Sequence, residues 1–351
     1  MRAPLDTADP LTQWPAAVRR NFPRLALGAL LGAVALWLAF RGIDPAELWQ
    51  ALQTINYFWV GASLLSVALT TLVVAARWRL LFYPDWRARG WLSLLGGILV
   101  GQMLNIVVPA RLGDVVRVYL VATSEDLSKT RVAATLVVEK IADLVIFALG
   151  AVFLLLVVTV PDWVRTSSTS LLITGLAGIA LVVVLSLWGR PLLTWLEGHS
   201  PNLLGGWLPR VWRLGHLALD GLGVLRNWRA TVGLWGLSVL SWLLAASTNY
   251  LLFLAFGFSL TFAAGAFLLV VLQVGIAPPS LPGKLGVFHY LVVLALSFFG
   301  IARGPALTYA LVLYAVALLS KVLVGGAWLA WLRWLPARSR ARAQIDPSKA
   351  A

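Results

Sequence analysis

The sequence predicts an all-α fold, a polytopic integral membrane helix bundle, and three observations carry that prediction. Of the 351 residues, 60% are hydrophobic and 12% charged, against about 45–50% and about 25% in a soluble domain. Apolar stretches recur along the chain at 25–40, 57–76, 91–108, 132–160, 170–188, 230–256, 262–281, 285–301 and 305–335. A span needs ~20 mostly apolar residues. Basic residues outnumber acidic ones 28 to 14 and gather in a few connecting segments, the usual mark of loops facing anionic lipid on the cytoplasmic side. This balance excludes a water-soluble globule and a disordered chain, and the charge calls for no nucleic acid. The chain has no cysteine, so disulfides, thiolate metal sites and cysteine nucleophiles are excluded. His199, His216 and His289 are too scattered to suggest a metal site.

In chain order, residues 1–24 form a cytoplasmic tail carrying Arg2, Arg19, Arg20 and Arg24. The run at 25–40 is a retained anchor rather than a signal peptide, because its leader is long, carries Asp6 and Asp9, and leads to no convincing cleavage site. Residues 41–56 hold one basic residue, Arg41, and face outward. Arg77, Arg79, Arg87 and Arg89 follow the second span and belong inside. A full crossing at 91–108 would then place Arg111, Arg117, Lys129 and Arg131 outside. The conflict disappears if this segment enters from the cytoplasm and turns back. Gly96, Gly97, Gly101 and Asn105, followed by Pro109, suit a broken helix. The stretch 132–160 then crosses outward, and 170–188 returns.

The loop 189–229 carries Arg190, Arg210, Arg213, Arg226 and Arg229 and lies inside. Trp207, Val211, Leu214, Ala218, Leu222 and Leu225 share one helical face, which reads either as an interfacial helix or as a connector packed on the bundle. After the span at 230–256, two short arms at 262–281 and 285–301 surround Pro278–Gly286 and read as a second hairpin, entered from outside. The last span, 305–335, leads to a basic tail at 336–351. The expected domain is therefore 25–335, with six full spans, two re-entrant hairpins, about eight hydrophobic peaks and both termini inside. In that arrangement 22 of the 28 basic residues face the cytoplasm.

An internal repeat supports the hairpins. Pro109-Ala110-Arg111-Leu112-Gly113 recurs as Pro282-Gly283-Lys284-Leu285-Gly286, and each copy follows an apolar arm with a glutamine, Gln102 or Gln273. Hairpins entering from opposite sides are the mark of an inverted repeat whose broken helices meet at a substrate site.

Charged residues in hydrocarbon are expensive and usually face a cavity. One group is Asn105, Arg111, Asp114 and Arg117. Arg111 offers a planar donor fork for phosphate, and Lys284 adds a point charge; alternatively, Arg111, Asp114 and Arg117 merely sit at the cytoplasmic interface. A second group is Glu139, Lys140 and Asp143. Glu139 and Asp143 share a helix face at i and i+4, and Arg111, Lys284 and Lys321 are the expected basic partners at depth. Either a gating network or static ion pairs would use these residues. Lys321 lies too deep to snorkel easily. His289, after the second hairpin, reads more readily as a packing residue than as a proton shuttle.

No phosphate-binding Gly-x4-Gly-Lys-Ser/Thr loop, His-Glu-x-x-His or Gly-x-Ser-x-Gly motif is present. The first external loop offers only Asp44 and Glu47, so an enzyme is not expected.

The pattern Asn105-x3-Pro109-x-Arg111-x-Gly113-Asp114-x2-Arg117, then Glu139-Lys140-x2-Asp143, then Pro282-Gly283-x2-Gly286, resembles the flippase-like membrane domain of the lysylphosphatidylglycerol synthase transmembrane family over roughly residues 20–335. The resemblance implies movement of lipids between leaflets: aminoacylated phosphatidylglycerol in the resistance proteins, polyprenyl-linked glycans elsewhere. His289 departs from the glutamate common at that position in the family. The chain ends 16 residues after Leu335, so the synthases' soluble aminoacyl-transferase domain is expected to be missing.

The expected function is translocation or binding of an anionic, phosphate-bearing lipid in a bacterial plasma membrane. Asn105, Arg111, Asp114, Arg117 and Lys284 would bind the headgroup. Glu139, Lys140, Asp143, Lys321 and His289 would form the gating or ion-pair set. No cofactor is implied; the partners are membrane lipid and the bilayer, and a homo-oligomer is compatible with the chain. The competing expectation is a non-transporting scaffold for a lipid-modifying or glycosylating enzyme.

Overall fold

The computed structural model describes Trp37 and residues 45–108, 112–157, 191, 193–195, 227–276 and 284–331. Apart from Trp37, the first predicted span lies outside the described residues, as do the span at 170–188, the interfacial helix around 207–225, both tails, Pro109, Arg111 and Pro278–Gly283.

All regular structure among the described residues is helical. The helices are α1 (Pro45–Gln53), α2 (Tyr57–Leu80), α3 (Trp91–Val107), α4 (Leu112–Ser124), α5 (Lys129–Val157), α6 (Trp228–Ala255), α7 (Phe262–Gly275), α8 (Val287–Ser297) and α9 (Arg303–Trp331). Side chains set several starts. Asn56 accepts from the Phe58 amide, Asn227 from those of Arg229 and Ala230, and Thr261 from that of Ala264. Each satisfies donors that a first helical turn leaves open. Lys284 and Gly286 have φ of 60° and 80°, and this left-handed pair turns the chain into α8.

Helices α2, α6 and α9 are long and apolar enough to cross a membrane, at 24, 28 and 29 residues. At ~1.5 Å per residue each exceeds the ~30 Å hydrocarbon thickness. Helix α5 is equally long, 29 residues, but carries the three charged residues near its centre.

Two apolar clusters mark the ends of the bundle. One joins Trp78, Leu81, Phe82, Leu94, Val121, Val132 and Leu234. The other joins Ile55, Phe253, Leu268, Val292, Leu296 and Tyr309. Helices α2 and α6 connect them as an antiparallel pair. The Asn56 amide donates to Ala255 O at 2.9 Å, Ser66 Oγ to Leu244 O at 2.7 Å, and Gly233 faces Leu80. Helix α5 runs from the Trp78 end, through Leu136 and Val138, to Gly150 and Leu154 beside Trp242 and Ala246. Helix α9 starts at the Tyr309 end and brings Gly325 and Trp328 against Leu99 and Gly96.

The shorter helices form two hairpins. In the first, the Gly90 amide donates to the Glu125 carboxylate at 3.1 Å, Gly97 meets Val121, and Gly101 meets Gly113. Helices α3 and α4 are therefore antiparallel, with their base at the Trp78 end. In the second, Gly275 packs on Leu291, while Phe267 stacks edge-on with Phe298 and Phe299. Helix α7 descends along α6 from the Tyr309 end, pairing Phe262 with Tyr250 and Gly265 with Ala246. The hairpins thus enter the bundle from opposite ends. Among the described residues, Arg79, Arg87, Arg89, Lys129, Arg131 and Arg229 cluster at the Trp78 end, and Arg303 lies at the other.

Candidate functional site

The two hairpins converge on a polar cavity of about 270 Å³ in the middle of the bundle. Its lining follows helical periodicity on each wall. Helix α2 contributes Thr70, Val74 and Arg77; helix α6 contributes Ser238, Ser241, Trp242 and Ala245; helix α5 contributes Glu139, Asp143, Ile146 and Phe147. These are i, i+3, i+4 and i+7 stripes, one face of otherwise apolar helices. The first hairpin adds Gln102, Asn105, Asp114 and Arg117, and the second adds Gln273. The two glutamines of the repeated arms therefore line the same space.

The charges form a network. Arg117 grips Glu139 through two parallel bonds of 3.0 and 2.8 Å, with side chains 6% and 4% exposed. Trp78 backs the Arg117 guanidinium at 3.6 Å and is fixed by its own donation to Thr135 Oγ1 at 3.0 Å. This bidentate, face-stacked geometry is specific to arginine. Arg77 contacts Asp143 at 2.6 Å and Glu139 at 3.9 Å, and donates to Ser238 Oγ at 3.3 Å. A third contact is looser. Lys140 Nζ lies 3.7 Å from an Asp114 oxygen, with side chains 53% and 28% exposed. Asn105 donates to the other Asp114 oxygen at 3.0 Å. Three cations thus face three carboxylates around one cavity.

The close approach that builds this wall depends on glycine. A Cβ on Gly113 would lie 2.0 Å from Gly101 O and 2.7 Å from Asn105 Oδ1. Only two residues without side chains let α3 and α4 come this near.

Five buried polar atoms around the cavity have no hydrogen-bond partner: Arg77 Nε, Arg117 Nε, Trp242 Nε1, Gln102 Oε1 and Asn105 Oδ1. Each would cost about 1–3 kcal/mol if left dry. Three donors and two acceptors on residues that border one cavity are groups that water or a polar ligand group could satisfy.

Several expected placements differ. Arg77, assigned from flanking position to the cytoplasmic face, is buried, and together with Arg117, expected in the headgroup-binding set, it supplies the partners of Glu139 and Asp143. Lys321 lies outside the cavity lining and pairs with neither acid. Lys284 sits at the start of α8, also outside the lining, and Arg111 lies outside the described residues. His289 is buried among rings, stacked on Tyr314 at 5.1 Å and edge-on to Phe288, away from the cavity. The residues missed beforehand are Thr70, Arg77, Ser238, Ser241 and Trp242. Their signal was a polar stripe at helical spacing on two apolar spans. No group of three or more potential metal ligands occurs among the described residues.

The model of the lysylphosphatidylglycerol synthase TM region matches residues 25–325. The chain belongs to this family. As a family member it is a membrane protein, and its apolar helices fit a multi-pass location. It is also similar to Glycosyltransferase AglD of Haloferax volcanii, 30% identical over 171 residues, which cover 48% of this chain and 27% of that protein. The chain thus matches about a quarter of that relative's length.

Proposed function

We propose that this member of the lysylphosphatidylglycerol synthase TM family is a flippase-like protein that takes the phosphate-bearing headgroup of a membrane lipid into the Arg77–Glu139 cavity. The observation that carries the reading is the set of five unpartnered buried polar atoms around a cavity lined by three cations and three carboxylates. Such groups at membrane depth are tolerated where they serve a passing polar species. Arg77, Arg117 and Lys140 offer donors to phosphate oxygens, and Asp143 and Asp114 accept from headgroup amines or hydroxyls. The opposed hairpins read as an inverted-topology repeat around the site. The basic Trp78 end reads as cytoplasmic, with both termini on that side of a bacterial plasma membrane. Nothing in this chemistry requires a bond to be made or broken, and we assign no enzymatic step.

Purified protein reconstituted in phosphatidylglycerol-containing liposomes tests this. Inner-leaflet fluorescent phosphatidylglycerol should become accessible to dithionite faster than in empty liposomes. Arg77→Ala should remove the acceleration. The second reading is a scaffold for a glycosylating enzyme, favoured by the relative named as a glycosyltransferase. It gains if the wild-type protein leaves lipid exchange at the empty-liposome rate.

A further inference from the structure

Helix α5 carries two adjoining stripes. Glu139, Asp143, Ile146 and Phe147 face the polar cavity. Leu136, Val137, Ile141 and Leu144, with Asp114 of α4, line a separate, shallow groove of about 360 Å³ on the outside of the bundle. This groove is almost wholly apolar, and Val137 and Leu144 are 45% and 62% exposed. Asp114 and Lys140 belong to both linings. Among the described residues, they are the pair that the two linings share.

We infer that the Asp114–Lys140 pair is a lateral portal, through which a lipid headgroup enters the cavity while one acyl chain lies in the Leu136–Val137–Ile141–Leu144 groove. The occupant is a bilayer lipid because the groove is continuous with a charged cavity. An amphiphile with a polar end and an apolar tail matches both surfaces at once, and the exposed Val137 and Leu144 offer that tail an apolar seat. The portal contact is also the most exposed in the network: a single 3.7 Å approach between side chains 53% and 28% exposed, beside the doubly bonded and buried Arg117–Glu139 pair. A change in the Lys140 side chain alone separates the two groups. The portal rests on the proposed lipid-handling function and deepens it.

A two-armed test is direct. In the first arm, phosphatidylglycerol with a diazirine-bearing acyl chain is photolysed in liposomes containing the protein, and labelled peptides are read by mass spectrometry. Labelling at Val137, Ile141 and Leu144 should exceed that at Leu65 and Val232, which are at least as exposed on other helices, by about tenfold. Equal labelling would mean ordinary boundary lipid and would overturn the portal. In the second arm, Val137→Trp and Leu144→Trp each fill the exposed groove without replacing a residue of the cavity. Both should slow dithionite access to fluorescent phosphatidylglycerol at least tenfold. Full-rate movement in both, with Arg77→Ala inactive, would refute the portal and leave the function standing. If the wild type moves no lipid, the function fails, and the photolabelling arm alone decides whether lipid seats in the groove.

Discussion

The two hairpins occupy equivalent positions at opposite ends of the α2–α6 pair, yet their interiors are chemically unlike. Among the described residues, the first brings Gln102, Asn105, Asp114 and Arg117 to the cavity, whereas the second brings Gln273 and otherwise packs rings and aliphatic chains. Phe267, Phe288, Phe298, Phe299 and Tyr314 make the described part of the second an aromatic wedge, with one unpartnered polar atom, His289 Nδ1. The hairpins enter from opposite ends, and their chemistry differs. One carries charged and amide groups that border the cavity, while the other presents mainly rings and aliphatic chains.

The sharpest way to break this comparison is Arg117→Ala. It leaves Glu139 buried with only the 3.9 Å contact to Arg77, and should destabilise the protein by ~3–5 kcal/mol in a thermal or denaturant titration in detergent. Arg117→Met combined with Glu139→Leu should recover most of that loss, because an apolar pair of similar volume replaces a buried ion pair at little expense. Failure of the double variant to recover would mean that the pair holds more than itself in place.

His289→Glu addresses the aromatic hairpin. It places an acid at a position that is 2% exposed and stacked on Tyr314. A carboxylate there meets rings rather than cations, so the variant should lose ~2.5–3.5 kcal/mol. Unchanged stability would show that the second hairpin also opens to a polar space.

These two positions also show what could be read in advance. Glu139, Lys140, Asp143, Asn105 and Asp114 stood out because a charge or amide inside an apolar run is visible in one dimension. Their partners were not, since pairing depends on which helix faces which. Arg77 sits three residues from the end of α2 and reads as a flanking arginine. The helix is longer than the hydrocarbon is thick, however, so its end does not mark the boundary, and the long side chain reaches inward to Asp143. Lys321 looked like the natural partner by depth alone. The hairpins were legible from the clash between the charge rule and the apolar run at 91–108, together with glycines at 96, 97 and 101. All three glycines have neighbours within 3.2 Å of where a Cβ would be.

Gly113→Ala asks whether the first hairpin tolerates separation. The new methyl group meets backbone, not a flexible chain, so α3 and α4 must part at an expected cost of about 1–3 kcal/mol. Gly236→Ala in α6 is the matched control, since nothing lies within 4 Å of its Cβ position, and it should be neutral or gain up to ~1 kcal/mol from helix propensity. If both behave alike in a melting experiment, the close approach of Gly101 and Gly113 contributes nothing to the wall.

The smallest expected change in stability comes from Lys140→Gln, and it separates a mobile contact from a structural one. The Asp114 contact is single, 3.7 Å long and half exposed, and Asp114 keeps its bond from Asn105 when Lys140 is removed. Glu139 retains both bonds from Arg117. The melting temperature should therefore shift by the equivalent of no more than ~1 kcal/mol. Lipid movement should change by much more than stability does, because the same side chain borders both the cavity and the apolar groove. Arg117→Ala should do the reverse, with a large loss of stability that the Glu139 replacement repairs. A Lys140→Gln protein as unstable as Arg117→Ala would place the Asp114 contact among the static pairs. A stable one with unaltered lipid movement would remove Lys140 from the transport path.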